Sequence, residues 1–420
     1  MGISSALYTG VSGLNTNGNA MSVLGNNIAN TNTIGFKSSR TIFSDLLSAN
    51  ISGSGGASQV GRGTQLSVVD NIFSQGTFEN TESNTDLAIE GDGFFIVKAP
   101  GGQQDFYTRA GAFRFNEQGF LVNPEGFRVQ GKAFEADGTL GIGDPAEIRV
   151  DTGTLIPARP TSEINLTTNL DSNAPVVAGG FDPLNPMGTS SYATSIPVYD
   201  TLGNTHLLST YFTKTDANEW QWNTVVDGAE IGGTPGDLTV VGTGTLEFDT
   251  GGNLTSGQSG SLIPGVLTWV NGASTQDIDL SFNTTQYSSD SIVISQGQNG
   301  FGAGSLVRIA IDGDGIVTAN YSNGERIRVA QIALAKFPNT NGLTKEGSNL
   351  YASSANSGDP RVGVPGAELG KIFTNALEQS NVDLAQEFVK MITTQRGFQA
   401  NSRIITTTDE MLGELINLKR

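Results

Sequence analysis

NVDLAQEFVKMITTQRGFQANSRIITTTDEML, residues 381–412, places Leu384, Met391, Phe398, Ile405 and Leu412 at seven-residue steps, and Leu377 lies one step earlier. A sustained seven-residue apolar period marks a helix that buries a narrow seam against other helices. The neighbouring row is mixed: Phe388 and Ile416 are apolar, but Gln395, Ser402 and Asp409 are not. One tight contact row beside a wetter one is the reading, with Phe388 added to the seam as a candidate for assembly. Ser380 followed by Asp383 resembles a capping box that opens the run from Leu384 to Leu418.

The other end of the chain repeats the device with Leu7, Leu14, Met21 and Ile28. This helix is predicted to start with Ser4 or Ser5 as N-cap and to end near Asn30, where Thr31-Asn32-Thr33-Ile34-Gly35 breaks the period. Gly10, Gly13, Gly18 and Gly25 each cost about 1 kcal/mol relative to alanine, so the helix is expected to be marginal without tertiary contacts. All 14 prolines lie between Pro100 and Pro365, which leaves both ends free to form long helices. Two such seams on one 420-residue chain suggest that the termini meet and serve assembly.

Between the ends the chain reads as β-structure. An apolar residue, three residues, a glycine, one residue and an aliphatic recur at Phe115–Gly119–Leu121, Phe134–Gly138–Leu140, Phe248–Gly252–Leu254 and Ile311–Gly315–Val317. A glycine at that offset is what a short hairpin loop with a left-handed residue requires. The Ile156-Pro157-Ala158-Arg159-Pro160 stretch and the glycine-rich 296–304 mark boundaries. The expected fold is mainly β with α-helical termini: nested, discontinuous β-domains on a terminal helical coiled-coil domain. Residues 1–75 plus 365–420 would form the helical assembly domain with a linker, 76–155 plus 300–363 a split β-domain, and 160–295 an inserted β-rich domain.

The net charge of −18 argues against nucleic-acid binding, which needs basic surface to displace counterions. That charge falls on residues 51–364, and the terminal segments are near neutral, as suits surfaces that pack on copies of themselves. Charged residues make up only 15%, so Thr, Ser, Asn and Gly must carry the surface. With no cysteine, neither disulfides nor thiol chemistry operate. No basic n-region with an apolar h-region opens the chain, and no run is long enough to span a bilayer. Neither membrane insertion nor a cleavable signal is therefore expected.

Catalytic constellations are scarce. His206 is the single histidine, so a triad or zinc site would rest on it alone, and a structural or solvated role is expected. Gly141-Ile142-Gly143-Asp144-Pro145-Ala146 matches a dinucleotide fingerprint by letters, but Pro145 and Asp144 spoil the helix start that motif needs. Asp312-Gly313-Asp314-Gly315 lacks the distal glutamate of a calcium loop and reads as a hairpin. Neither an enzyme, nor a metal, nor a cofactor is expected.

NNIANTNTIGFK at 26–37 resembles the N-terminal signature of the bacterial flagellar axial proteins, the rod and hook family, with Asn26, Asn27, Ile28, Ala29, Asn30, Gly35 and Phe36 carrying the match. The 381–412 stretch resembles their C-terminal signature, through Gln395 and Arg396 among others. LAIEGDGFFIV at 87–97 and YTRAGAFRFNEQGFLVNPEGFRVQG at 107–131 are similar to the family's shared β-domain. Thr394 and Phe398 depart from the Ala and Tyr common there but keep the polarity pattern and the aromatic bulk. The resemblance covers well over half the chain. The long insert, with Val198–Asn204 similar to hook members, favours the hook group over the distal rod group; a secreted β-rich adhesin would leave the paired ends unexplained. The resemblance implies a subunit that polymerises with itself into a curved tube between rod and filament. Its implied partners are the rod, hook-cap and hook–filament junction proteins and the flagellar type III export apparatus, and its implied location is the extracellular hook or basal body.

Overall fold

A computed structural model describes residues 2–53, 56–135, 138–151, 153, 155–366 and 368–418. The chain is mainly β, with a helix at Gly2–Ala29 and another at Leu384–Leu418. It divides into two compact units. One holds residues 1–152, 309–319 and 327–420, and the other holds 153–308 and 320–326.

The predicted start of the C-terminal helix holds, but its cap differs. The Asp383 Oδ1 accepts from Ala385 N at 2.9 Å and Gln386 N at 3.2 Å, so Asp383 itself is the N-cap. Ser380 lies outside the helix and accepts from Val382 N. Leu377 is not in the helix at all. It sits buried in the strand Ala376–Glu378, which pairs antiparallel with Phe78–Asn80. Its seven-residue spacing from Leu384 is a coincidence of strand alternation across a non-helical gap. The N-terminal helix ends as predicted but begins before Ser4 and Ser5, which lie within it.

In the first unit, strands from both sides of the insert share one sheet. Phe94–Lys98 pairs with Asp105–Thr108 on one side and Arg128–Ala133 on the other, and Arg128–Ala133 pairs in turn with Arg326–Ile332. Leu350–Ala352 continues the sheet beyond Asp105–Thr108. Phe94, Ile96, Tyr107 and Tyr351 from these strands pack with Phe337 and Leu343 from the segment between strands in one core. Its rings meet edge to face, as at Tyr107 and Phe337, 4.7 Å apart at 87°. Residues expected as a linker instead form an antiparallel ribbon, Ser39–Asp45 with Thr64–Asn71 and Ala49–Gly53 with Gly56–Val60.

The second unit is a sandwich. A five-stranded antiparallel sheet runs Tyr192–Tyr199, Thr205–Asp216, Glu219–Asp227, Leu238–Phe248 and Leu254–Ser256. A four-stranded sheet runs Ser259–Ser261, Asp279–Tyr287, Glu163–Asp171 and Ile292–Gln298, with its middle pair parallel. Leu166, Leu170, Phe212, Trp220, Leu246 and Phe282 from the two inner faces form the core. Where the chain enters and leaves this unit it zips together: Arg159 and Phe301 exchange both backbone bonds at 2.9 Å, and Ile156 N donates to Gly304 O at 2.9 Å.

All four glycines of the hairpin pattern are left-handed: Gly119 at φ +81°, Gly138 at +80°, Gly252 at +79° and Gly315 at +74°. In three of the loops a short polar residue organises the turn. Asn116, Asp249 and Asp312 each accept two backbone N–H groups through Oδ1. Asp312 is therefore occupied as a turn residue.

His206 proves structural. Its Nδ1 lies 2.8 Å from the Glu230 carboxylate, its Nε2 lies 3.2 Å from Asp200 Oδ2, and its ring stacks on Trp269 at 3.6 Å. Asp200 is fully buried. Burial alone would raise its pKa, but hydrogen bonds from Asn271, Asn204 and His206 outweigh that and hold the carboxyl well below the usual carboxylate range. The unfolded chain therefore takes up this proton first as pH falls. The stabilisation is complete above the ordinary Asp value of about 4 and is lost progressively below it. Trp220, Trp222 and Trp269 are the only tryptophans, and all lie in this unit. Tryptophan fluorescence should show its melting temperature falling between about pH 5 and pH 3, with a shallower slope in Asp200→Asn.

Candidate assembly site: the helix pair and its ionic knot

The two terminal helices pack antiparallel, and they touch through small residues rather than through the predicted N-terminal seam. The buried face of the first helix is Gly10, Gly13, Thr16, Ala20, Leu24 and Asn27, spaced at three and four residues as one helix face requires. Leu7, Leu14, Met21 and Ile28 flank it, half-buried. On the second helix Met391, Phe398, Ile405 and Leu412 are half-buried on the side that faces the first, while Leu384 and Phe388 are 42% and 48% exposed.

The contact is reciprocal. Gly13-x-x-x-Asn17 on one helix meets Gly397-x-x-x-Asn401 on the other. A Cβ on Gly13 would come within 2.7 Å of the Asn401 amide, and one on Gly397 within 3.0 Å of Asn17 Oδ1. Each asparagine is held by its own helix: Asn17 Nδ2 donates to Gly13 O at 2.7 Å and Asn401 Nδ2 to Gly397 O at 3.0 Å. Thr16, also buried, bonds back to Ser12 O at 3.0 Å. A Cβ on Gly10 would meet Ile405 Cγ1 at 3.1 Å. Two of the four glycines thus sit where the helices approach. Gly18 and Gly25 have open space, so Gly18→Ala or Gly25→Ala should raise the helix's stability in the free subunit by about 1 kcal/mol each, seen as a higher helical melting temperature.

Below the helix pair lies a buried ionic knot. The Glu378 carboxylate, with no exposed side-chain surface, accepts from Lys37 Nζ at 2.5 Å, Gly76 N at 2.9 Å and Arg109 Nη1 at 3.4 Å. Lys37 also donates to Ser74 O at 2.7 Å, and Arg109 to Gly91 O at 2.7 Å and Ile89 O at 3.3 Å. Burial pushes Lys37 and Arg109 below their usual ranges, and Glu378 pulls both back. Gly35 donates its N–H to Glu378 O at 2.7 Å. Its φ is +69° and a Cβ would lie within 2.8 Å of the Arg109–Ala110 backbone, so only glycine fits there.

A second polar link ties the helices to the ribbon. Asn27 is buried, donates to Ser39 O at 2.8 Å and Glu387 Oε2 at 3.0 Å, and accepts from Ser39 N at 2.9 Å. Asn381 accepts from Ser38 N and donates to Ile72 O.

The structure therefore gathers Asn27, Gly35 and Phe36 of the N-terminal signature around the start of the C-terminal one. Asn26 and Ala29 are exposed, Ile28 and Asn30 half-buried, and Gln395 and Arg396 lie exposed along the second helix, away from the knot. Lys37, Arg109, Glu378, Asn381 and Glu387 were missed by the sequence reading. Among the described residues no group of three or more His, Cys, Asp or Glu is placed to hold a metal, and no helix is long and apolar enough to cross a membrane.

Four family models match in order: a flagella basal body rod protein model at residues 7–37, the flagellar hook protein FlgE/F/G D1 domain at 88–170, the flagellar basal body protein FlaE D2 domain at 169–301, and the flagellar basal body rod FlgEFG protein C-terminal model at 374–418. A β-rich chain closed by this helix pair and matched in this order is an axial protein of the bacterial flagellum. The flagellar hook protein FlgE of Borreliella burgdorferi is 37% identical over 99% of both chains, that of Salmonella typhimurium 36% over 97% of this chain and 98% of its own, and that of Escherichia coli 35% over 99% and 100%. The chain belongs to the flagellar hook protein FlgE family. The crystal structure of Helicobacter pylori flagellar hook protein FlgE2 shares the fold, with a TM-score of 0.56 at 17% identity over 72% of this chain and all of that one.

Proposed function

We propose that the chain is the structural subunit of a flagellar hook, polymerising head to tail into a curved, flexible tube that transmits torque from rod to filament. The observation that carries this is the apolar surface left uncovered on the paired helices. Leu384, Phe388 and Ile392, four residues apart on the second helix, are 42%, 48% and 51% exposed, and Tyr8 and Val11 on the first are 75% and 52% exposed. Fully burying such a side chain is worth about 1.5–3 kcal/mol, and each of these, already part-covered, would gain the still-exposed share of that when a neighbour covers it. A head-to-tail contact that does not close on itself generates an open helical filament.

In this reading residues 1–75 plus 365–420 carry assembly, with Leu7, Leu14, Met21, Ile28, Leu384, Phe388, Met391, Phe398, Ile405 and Leu412 shared between contacts within and between subunits. The split β-domain, 76–155 plus 300–363, and the insert, 160–295, supply contacts that slide as the tube bends. Their Thr, Asn and Gly surface offers hydrogen bonds that exchange with water at about 1 kcal/mol each. Rod, hook-cap and hook–filament junction proteins would be the axial neighbours, and the flagellar type III export apparatus the route outward.

Leu384→Asp and Phe388→Asp test the reading. Both side chains are exposed in the single chain, so the purified subunit should melt normally while cells assemble rods without hooks in electron micrographs. Normal hooks in both variants would remove the seam from the proposal.

A further inference from the structure

A cavity of about 180 Å3 opens where the N-terminal signature meets the strand pair Thr344–Gly347 and Leu350–Ala352, lined by Asn26, Asn30, Phe36, Lys345, Ser348 and Asn349. Three observations mark it. First, its rim is a tight hairpin turn: Ser348 and Asn349, at φ +49° and +56°, are the two loop residues between the paired Gly347 and Leu350. Asn349 Nδ2 donates to Ile34 O at 2.9 Å and so pins the rim to the signature loop.

Second, its cation is unmatched. Lys345 Nζ donates to Ser39 Oγ at 3.0 Å and lies 5.4 Å from the centre of the Phe36 ring, and no carboxylate among the described residues is within ion-pair distance of it. Partial desolvation pushes its ammonium below the usual lysine range. Third, Asn26 and Asn30 bond only to each other and to their own helix and loop, and serve neither the knot nor the helix contact.

We infer that this cavity is a docking socket for an exposed carboxylate side chain of a second copy of the chain, with Lys345 as its cation and the Asn26 amide as an additional donor. The partner is chosen by charge. Residues 51–364 carry the whole surplus of −18, so a second copy is rich in carboxylates that a site whose only full charge is positive would attract. The inference rests on the self-assembly reading above and adds to it a polar, register-setting contact beside the apolar ones.

The test uses the full-length subunit with Lys345→Gln, Lys345→Glu and Lys345→Arg, comparing the critical concentration for polymer growth at low and high salt and the melting of the unassembled subunit. The critical concentration should rise about fivefold in Lys345→Gln at low salt, as for one partly screened ion pair. It should rise further in Lys345→Glu and return most of the way to wild type in Lys345→Arg. Added salt should raise it in wild type and leave Lys345→Gln nearly unchanged, with melting of the single subunit the same in both. Equal critical concentrations and equal salt dependence in wild type and Lys345→Gln overturn the socket while self-assembly stands. A melting loss that accounts for the whole assembly defect also overturns it, by reducing Lys345 to a prop for Ser39. Failure of the wild-type subunit to polymerise at any concentration would instead remove the reading on which the socket rests.

Discussion

Glu378→Ala is expected to destabilise the unit that holds both chain ends by about 3–5 kcal/mol, because removing one member of a buried ionic group strands the others. Lys37 has no exposed side-chain surface and Arg109 is 4% exposed, so neither can turn to water when its carboxylate goes. Gly76 N loses an acceptor as well. Helical circular dichroism follows this unit, since Gly2–Ala29 and Leu384–Leu418 both lie in it, while tryptophan fluorescence follows the other. The helical transition should shift strongly and the fluorescence transition should stay. Lys37→Met makes the contrast: it leaves Glu378 facing Arg109 and should cost markedly less. If both variants cost under about 1 kcal/mol, the knot behaves like a surface ion pair and its role in holding the ends together is lost.

The double substitution Gly10→Leu, Gly13→Leu should have the second large effect, and in the direction opposite to helix propensity. Leucine favours an isolated helix over glycine by close to 1 kcal/mol per site. At these positions, however, even a Cβ meets Ile405 and Asn401 at 3.1 and 2.7 Å. Overpacking costs about 1–3 kcal/mol per site, and leucine brings three further carbons. The helices should part, hooks should be absent in electron micrographs, and the helical signal of the free subunit should melt earlier. Gly18→Leu, with open space around it, is the control. If the double variant assembles normal hooks, the close approach seen here is not the one that assembly uses.

Much of the architecture is legible in the residues because it depends on local rules. The four hairpin glycines follow from turn chemistry acting within a few positions, and the helix from Leu384 follows from its period and from Asp383 just before it. Both kinds of signal are short-range. Leu377 misled because period alone does not register that Asn375, at φ +56°, and the strand after it interrupt the helix. The glycine row was invisible for a related reason. Apolar periodicity scores Leu7, Leu14, Met21 and Ile28 and assigns no weight to Gly10 and Gly13, although the smallest residues set how closely two helices approach. The knot could not be read at all: Lys37 and Glu378 are 341 residues apart, Asn27 and Glu387 are 360 apart, and no pattern of spacing links them. The ribbon at Ser39–Asn71 carries no strand signature, because Phe43, Leu47, Val60 and Val68 are too scattered to alternate cleanly over Gly-rich sequence.

The bridges from Ile156 to Gly304 and from Arg159 to Phe301 bring the two ends of the insert side by side. Two paired backbones leave a gap of only about 5 Å between the points where the chain departs and returns, and both chain ends lie in the other unit. A replacement domain whose own ends are neighbours could be grafted across that gap without lengthening or straining anything that precedes or follows it. A reporter domain with neighbouring ends could be placed at the same position.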